Sequence, residues 1–364
     1  MAEIQVSRLK KSFGEFVAVQ DSSFTIENSE FFVILGPSGC GKTTTLRIIA
    51  GLELPTSGEI WLDQEEVTFL PASQRDIAFV FQLFALYPHM NVRKNLAFPL
   101  KCIGTPSAEV KQRVEEAARL LRIDHLLNRS VSGLSGGDRQ RVALGRAIIR
   151  RPKAFLMDEP LGALDAEFRN LMCQELKGLH DRIEATTVYV THDQLEAMAM
   201  ADRIAVMNHG MIEQLGTPSE IYNKPATIYV ADFIGSPPMN LLTLPNALEP
   251  GKTEINLPDD GCGTLRCPNS AQGIQAGNLV LGVRPEYLLP EQEGPLPGKI
   301  SAVEYLGTTQ ILTIQTPYGQ VLSRVLSTYS FGKGQSVRLN FVSQRASLFD
   351  KSDGKALSTE VTYG

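Results

Sequence analysis

The sequence predicts an α/β core followed by a small all-β barrel, and three observations carry that prediction. A glycine-rich turn at residues 36–44 stands between a short apolar run and a helical stretch. A second apolar run, Ala154-Phe155-Leu156-Met157, ends in the paired acids Asp158 and Glu159. Beyond Gly235 the texture changes to short alternating segments among frequent Pro and Gly, the pattern of strands closed by turns. The expected division is a core over residues 1–235, with a helical insertion at about 84–150, and a β domain over 236–364.

The turn reads Gly36-Pro37-Ser38-Gly39-Cys40-Gly41-Lys42-Thr43-Thr44 and fits G-x-x-x-x-G-K-[ST]. Phe31-Phe32-Val33-Ile34-Leu35 before it reads as a buried strand; Thr44 to Ala50 reads as a helix, and Gly51 is placed to stop it. A triphosphate needs many donors close together. Glycines let the backbone approach, and the following helix turns free N–H groups toward the anion. Lys42 can reach the β- and γ-phosphates of ATP, and Thr43 can place its hydroxyl on Mg²⁺.

Composition narrows the partners. At 364 residues the chain has room for two domains, and its formal net charge of −5 argues against nucleic acid. No apolar run reaches the roughly 18–20 residues that span a bilayer, and no leader-like segment opens the chain. A cytoplasmic protein is the expectation. Five scattered cysteines (Cys40, Cys102, Cys173, Cys262, Cys267) read as reduced thiols.

Along the chain, the stretch to Glu27 alternates like antiparallel strands turning at Ser12-Phe13-Gly14. Phe13 either stacks on a base or fills a small core under the hairpin, with Phe16 a competitor. Glu59-Ile60-Trp61-Leu62 and Ile77 to Phe81 are strand candidates, the second delivering Gln82 at its end. A strand end near a phosphate site is a usual place for a sensing residue, although Gln82 alone reads as a loop amide. Residues 84–150 carry apolar positions at helical spacing, as in Val110 to Leu121. The unusually apolar Phe84 to Met90 is either buried or a docking surface. Leu134-Ser135-Gly136-Gly137-Asp138 opens another helix with Ser135 as N-cap, a second helix start able to take an anion or simply a well-capped one.

Acids at the end of an apolar strand are costly unless a cation sits by them. Asp158 therefore reads as a Mg²⁺ partner and Glu159 as the group that polarises the attacking water. Asp165 reads as the N-cap of a helix running through Leu179. Thr187 to Thr191 is a buried strand with His192 at its end, where the γ-phosphate end of the site belongs. Arg203 to Met207 and Met211 to Gly216 read as a strand pair around His209-Gly210. Ser236-Pro237-Pro238 reads as a linker into an OB-type barrel, a structural or regulatory module.

The order of these motifs resembles an ABC transporter ATPase subunit over nearly the whole chain. It looks most like the ATPases of maltose-type and glycerol-phosphate-type sugar importers. Ala85 to Met90, Gly235-Ser236-Pro237-Pro238-Met239-Asn240 and Gly282-Val283-Arg284-Pro285-Glu286 carry that closer likeness. The resemblance implies a P-loop ATPase core: a mixed sheet, an antiparallel β subdomain and an inserted helical subdomain, followed by a TOBE-type OB-like domain. It implies that Phe13 stacks on adenine and that Gln82 is the Q-loop residue near Mg²⁺. Asp158 and Glu159 become metal partner and general base, His192 contacts the γ-phosphate, and Asp165 lies in the D-loop. Ser135, Gly136 and Gly137 complete the site of the opposite subunit in a head-to-tail homodimer. Implied partners are permease subunits, received by Phe84–Met90 and the helical subdomain, and, indirectly, an extracytoplasmic solute-binding protein. The implied location is the cytoplasmic side of the membrane, peripherally bound. The solute is a sugar or polyol, with sulfate, polyamine or metal as the alternative. Two departures stand out: Asp138 where Gln or Glu is usual, and Leu161-Gly162-Ala163-Leu164-Asp165 in place of the commoner Leu-Ser-Asn-Leu-Asp.

Overall fold

The structure, a computed structural model, describes residues 2–162, 164, 166–251, 254–256, 264–266, 273–342, 345–357 and 362–363. Asp165, Cys262 and Cys267, singled out in the sequence, lie outside the described residues. The chain forms two compact units, Met1–Pro218 and Ser219–Gly364.

The strands of the first unit are β1 (Ile4–Phe13), β2 (Phe16–Ile26), β3 (Phe31–Leu35), β4 (Ser57–Leu62), β5 (Glu65–Glu66), β6 (Ile77–Val80), β7 (Ala154–Asp158), β8 (Thr186–Thr191), β9 (Arg203–Asn208) and β10 (Met211–Gly216). Its helices are α1 (Lys42–Ile49), α2 (Val92–Cys102), α3 (Ser107–Leu120), α4 (Gly136–Ile148), α5 (Ala166–Ile183) and α6 (Gln194–Met200).

A four-stranded antiparallel sheet runs β2-β1-β4-β5, and a six-stranded sheet runs β10-β9-β3-β8-β7-β6. In the larger sheet every pair but β10–β9 is parallel. β3 and β8 are buried along their whole length, as parallel strands covered on both faces must be. β1 instead alternates at its start, which suits an antiparallel strand with one face on the core. Between β6 and β7 the described elements are helical, as the spacing predicts.

Register decides where the chemistry can lie. Leu35 pairs with Thr191, Asp158 with Val190, and Val80 with Met157. The carboxyl ends of β3, β8, β7 and β6 therefore form one edge, the edge at which open parallel sheets bind ligands.

One buried cation fixes α1 to its surroundings. Arg75 donates to Ile48 O and Ile49 O at 2.8 and 2.9 Å, closing the end of α1. It also donates to Leu70 O and Thr68 O at 2.8 and 2.9 Å. Burial pushes its guanidinium down to about 10, still well above neutrality. Gly51, with φ +70°, ends the turn as expected.

The second unit holds α7 (Pro218–Asn223, entered from the first unit's last residue), α8 (Ile228–Phe233), β11 (Asn240–Leu244), β12 (Glu254–Asn256), β13 (Thr264–Arg266) and β14 (Leu279–Val283). It continues with β15 (Leu288–Glu291), β16 (Leu296–Tyr305), β17 (Thr309–Thr316), β18 (Gly319–Leu326), β19 (Ser336–Phe341), β20 (Ala346–Asp350) and β21 (Thr362–Tyr363). Its sheets are β11-β14-β20, β12-β13-β21 and β15-β19-β16-β17-β18, all antiparallel. Leu242, Leu281 and Leu348 of the first meet Leu312, Ile314 and Leu339 of the last in one apolar core, which makes the unit barrel-like.

The compact units part earlier than the Gly235/Ser236 boundary that composition suggests. The physical reason is Arg284, 1% exposed, which donates to Tyr222 O, Ala231 O and Ile234 O. Its guanidinium also lies 4.3 Å from the Tyr222 ring centre. The stretch that reads as the end of the first domain is thereby held by the β unit.

Candidate nucleotide site

The phosphate-loop candidate leaves β3 and enters α1. Two of its glycines answer to the protein's own backbone. A Cβ on Gly36 would stand 2.2 Å from Met207 O; one on Gly41, whose φ is +106°, would stand 2.2 Å from Ala18 O. Gly39, at φ +80°, faces open space. The β9–β10 hairpin braces the loop from behind. His209 and Gly210 both take positive φ, as a two-residue hairpin turn of the right twist requires. Gly210 N donates to Cys40 O at 2.9 Å, and Gln20 N donates to Gly210 O at 2.7 Å.

No side chain caps the start of α1 at Gly41, so its first N–H groups remain for an anion. Lys42 is buried, and its ammonium donates to Gly36 O and Pro37 O at 2.9 and 2.8 Å, holding the loop closed on itself. Ser38 and Gly39 at the crest are exposed. Cys40 behaves differently from its neighbours. Its side chain is buried in the core beneath the loop, and burial raises its thiol, so Cys40 serves the loop through its backbone.

From α1 a chain of polar contacts crosses the strand ends. The Thr43 hydroxyl donates to Asp158 Oδ1 at 2.8 Å. Burial raises the Asp158 carboxyl above its ordinary range; the Thr43 bond opposes the rise and the adjacent Glu159 adds to it. Glu159 itself sits at φ +42°, an unfavourable region for a non-glycine residue and a frequent mark of functional sites. Its N–H donates to Val190 O at 3.0 Å, which fixes that conformation. Gln82 Nε2 donates to Glu159 Oε2 at 3.3 Å, and His192 Nδ1 lies 3.3 Å from the same oxygen.

Thr43, Asp158, Glu159, Gln82 and His192 thus lie together at one edge of the sheet, with Lys42 next to Thr43 at the start of α1. A hydroxyl beside a half-buried carboxylate suits a small hard cation that keeps most of its waters, and so fits Mg²⁺. Phe13 is 48% exposed and Phe16 62% exposed, so neither ring fills a core under the hairpin. The Lys11 ammonium lies 4.6 Å from the Phe13 ring centre.

The Ser135 segment stands apart. Ser135 caps α4 as predicted, accepting from Asp138 N at 3.2 Å and donating to Asp138 Oδ2 at 2.8 Å. Among the described hydrogen bonds and ion pairs, none joins it to the phosphate loop. Asp138 thus answers the Ser135 cap through the Ser135 hydroxyl alone, with no bond to the Ser135 N–H among the described hydrogen bonds.

Sequence reasoning missed the groups that hold the segment after Gln82. Leu83 is 84% exposed, and Phe84 and Ala85 take positive φ. Arg146 on α4 donates to Ala85 O and Phe84 O at 2.7 and 3.2 Å. Asn95 on α2 is fully buried; it accepts from Tyr87 N and donates to Tyr87 O and Met90 O. The segment is a partly exposed apolar surface on a braced backbone. The His192 end is braced too: Asp193 caps α6 and pairs with Arg169 at 2.8 Å.

A glycine-lined loop on a helix start, with carboxylates, an amide and an imidazole gathered at adjoining strand ends, defines an ATP-binding and ATP-hydrolysing cassette. The ABC transporter family model matches residues 19–162, and the TOBE domain model matches residues 281–349. A trehalose/maltose import ATP-binding protein of Thermococcus litoralis is 45% identical over 98% of this chain and 100% of its own length. An sn-glycerol-3-phosphate import ATP-binding protein of Salmonella choleraesuis is 43% identical over 98% of this chain and 99% of its own. A maltose/maltodextrin import ATP-binding protein of Yersinia pestis is 47% identical over 87% of this chain and 86% of its own. Among solved structures, a dimeric bacterial ABC transporter cassette covers 59% of this chain and 98% of its own at 33% identity and TM-score 0.54. The chain belongs to the family of ATP-binding subunits of ABC importers.

Proposed function

We propose that two copies of this chain close on ATP and Mg²⁺ and so drive a membrane permease that imports a sugar or polyol. The observation that carries the reading is the continuous contact path Thr43–Asp158–Glu159, ending on Gln82 and His192. In this reading Lys42 and the amides of α1's first turn hold the phosphates. Thr43 and Asp158 hold Mg²⁺, which when bound neutralises charge on the phosphate oxygens. Glu159 takes the proton of the attacking water, and His192 orients against the γ-phosphate from the side of Glu159. Phe13 offers its exposed ring to the base, a contact worth ~1 kcal/mol.

Ser135, Gly136 and Gly137 supply the second phosphate-facing helix start, from the partner copy. A solved relative captured as a dimer bound to ADP and phosphate after hydrolysis, at 32% identity and TM-score 0.53, supports pairing of cassettes. Gln82 is then the link between hydrolysis and the partly exposed Phe84–Met90 surface, which with the helical subdomain receives the permease. The likeness to import ATP-binding proteins supports a peripheral place on the cytoplasmic side of the membrane. The named solutes of the relatives support the sugar or polyol class.

Co-expression with the neighbouring permease genes tests this. The chain should co-purify with the permease in the membrane fraction, and candidate sugars with their binding protein should stimulate its ATPase. Persistence as a monomer with ATP bound, hydrolysis blocked and permease present would sink the proposal.

A further inference from the structure

The second unit carries a cavity of about 1050 Å³ on one face of its five-stranded sheet. Register explains the polar floor. Lys299 on β16 pairs with Gln315 on β17 to one side and Ser336 on β19 to the other. Residues directly paired across strands share a face. Two positions further along β19, Arg338 comes up on that same face and pairs with Glu291 on β15. The reverse face, with Ile300, Ile314 and Leu339, is buried in the barrel core.

The cavity also has an aromatic wall. Tyr329 and Phe331 lie 6.3 Å apart between ring centres, tilted 38° to one another. Tyr329 is 59% exposed, yet its backbone is fixed: its carbonyl accepts from Gln310 Nε2 at 2.7 Å. The Gln335 carboxamide is oriented as well, its oxygen accepting from Gly332 N at 3.0 Å.

We propose that this cavity is a binding site for an uncharged carbohydrate, separate in its residues from the nucleotide site. A sugar ring has a C–H face, which an exposed aromatic ring covers, and a rim of hydroxyls that each donate and accept. The floor carries acceptors and donors of both kinds, several oriented by the fold: Gln315 Nε2 donates to Gln320 Oε1 at 3.0 Å, Glu291 Oε2 accepts from Asn340 Nδ2 at 3.1 Å, and a ligand would use the second oxygen or N–H that each such group carries. Glu291 offsets one of the two cations, Lys299 and Arg338, so the lining carries a single net positive charge, short of the basic stripe of a groove for a phosphate backbone. A volume of about 1050 Å³ lies at the upper end of small-ligand sites, which run to ~1,000 Å³.

The test is direct binding to the nucleotide-free full chain by calorimetry or saturation-transfer NMR, with glucose, maltose and trehalose as probes. Because the readout is binding, its failure leaves the importer reading intact, and the importer reading can fail without it. At least one saccharide should bind with a Kd of about 1 mM or tighter. Tyr329→Ala should weaken it at least ~10-fold, a change of ~1.4 kcal/mol. Tyr305→Ala, which removes a 70%-exposed ring outside the cavity, should leave it unchanged. Absence of saccharide binding, binding indifferent to Tyr329→Ala, or preference for glycerol 3-phosphate over the neutral sugars would overturn the proposal.

Discussion

Arg75→Met tests whether the end of α1 depends on one buried cation. The substitution keeps an unbranched stem of similar reach and deletes the guanidinium. Four bonds are lost, to Ile48 O, Ile49 O, Leu70 O and Thr68 O. Hydrogen bonds from a charged donor contribute ~1.5–3 kcal/mol each, a gross ~6–12 kcal/mol for the set. Releasing a buried ion from its desolvation offsets several kcal/mol of that. A net destabilisation of ~3–5 kcal/mol is expected, as for other broken buried charge networks. At ~2–4 °C per kcal/mol for a domain of this size, the first unit's Tm should fall by ~6–20 °C. Thermal unfolding with and without ATP measures this, and ATP affinity should fall too, because α1 carries the phosphate loop. Arg75→Lys should fall between, since an ammonium cannot reproduce the planar fork. A Tm within ~3 °C of the parent would show that water replaces the guanidinium at little cost, and the capping argument would be wrong.

Three further outcomes can be checked. Glu159→Gln should retain ATP binding, lose turnover at least ~100-fold and accumulate a nucleotide-bound dimer by light scattering; turnover near the parent's would exclude Glu159 as the base. Asp158→Asn should abolish Mg²⁺-dependent hydrolysis while stabilising the nucleotide-free chain at pH 7. Burial raises the Asp158 carboxyl above its ordinary 3.8, so the folded state holds that proton more tightly than the unfolded state does. Stability therefore falls as pH climbs from 3.8 through the raised value, and the amide removes that loss. The Tm gain should vanish in acid; a gain that persists there would contradict the assignment. Finally, the buried Cys40 thiol should react slowly with bulky reagents at neutral pH, more slowly still with ATP, and modification should stop hydrolysis; full activity after stoichiometric labelling at Cys40 would refute its place under the loop.

Much of the site could be read beforehand because its residues follow apolar runs. Gln82, Asp158 and His192 each stand at the end of an apolar run, and strand ends of a parallel sheet converge. The phosphate loop was legible for a different reason: its glycine spacing is demanded by geometry. What stayed hidden acts across long separations through backbone carbonyls. Arg75, Arg146 and Arg284 look like surface residues in the sequence, since nothing local says that a carbonyl dozens of residues away will face them. Phe13 and Phe16 show the same limit in miniature. Alternation places both at a hairpin tip, and only the folded chain shows both rings exposed.

The Arg284 guanidinium has a practical corollary for anyone dissecting the molecule. A clone begun at Ser236, where composition invites the cut, would discard the carbonyls of Tyr222, Ala231 and Ile234 that this guanidinium meets. The isolated barrel would then lack the groups that pair with and cover that cation. Beginning at Ser219 keeps the cation and its hosts on the same fragment, so the earlier start point is the one from which an autonomous, crystallisable piece should be sought.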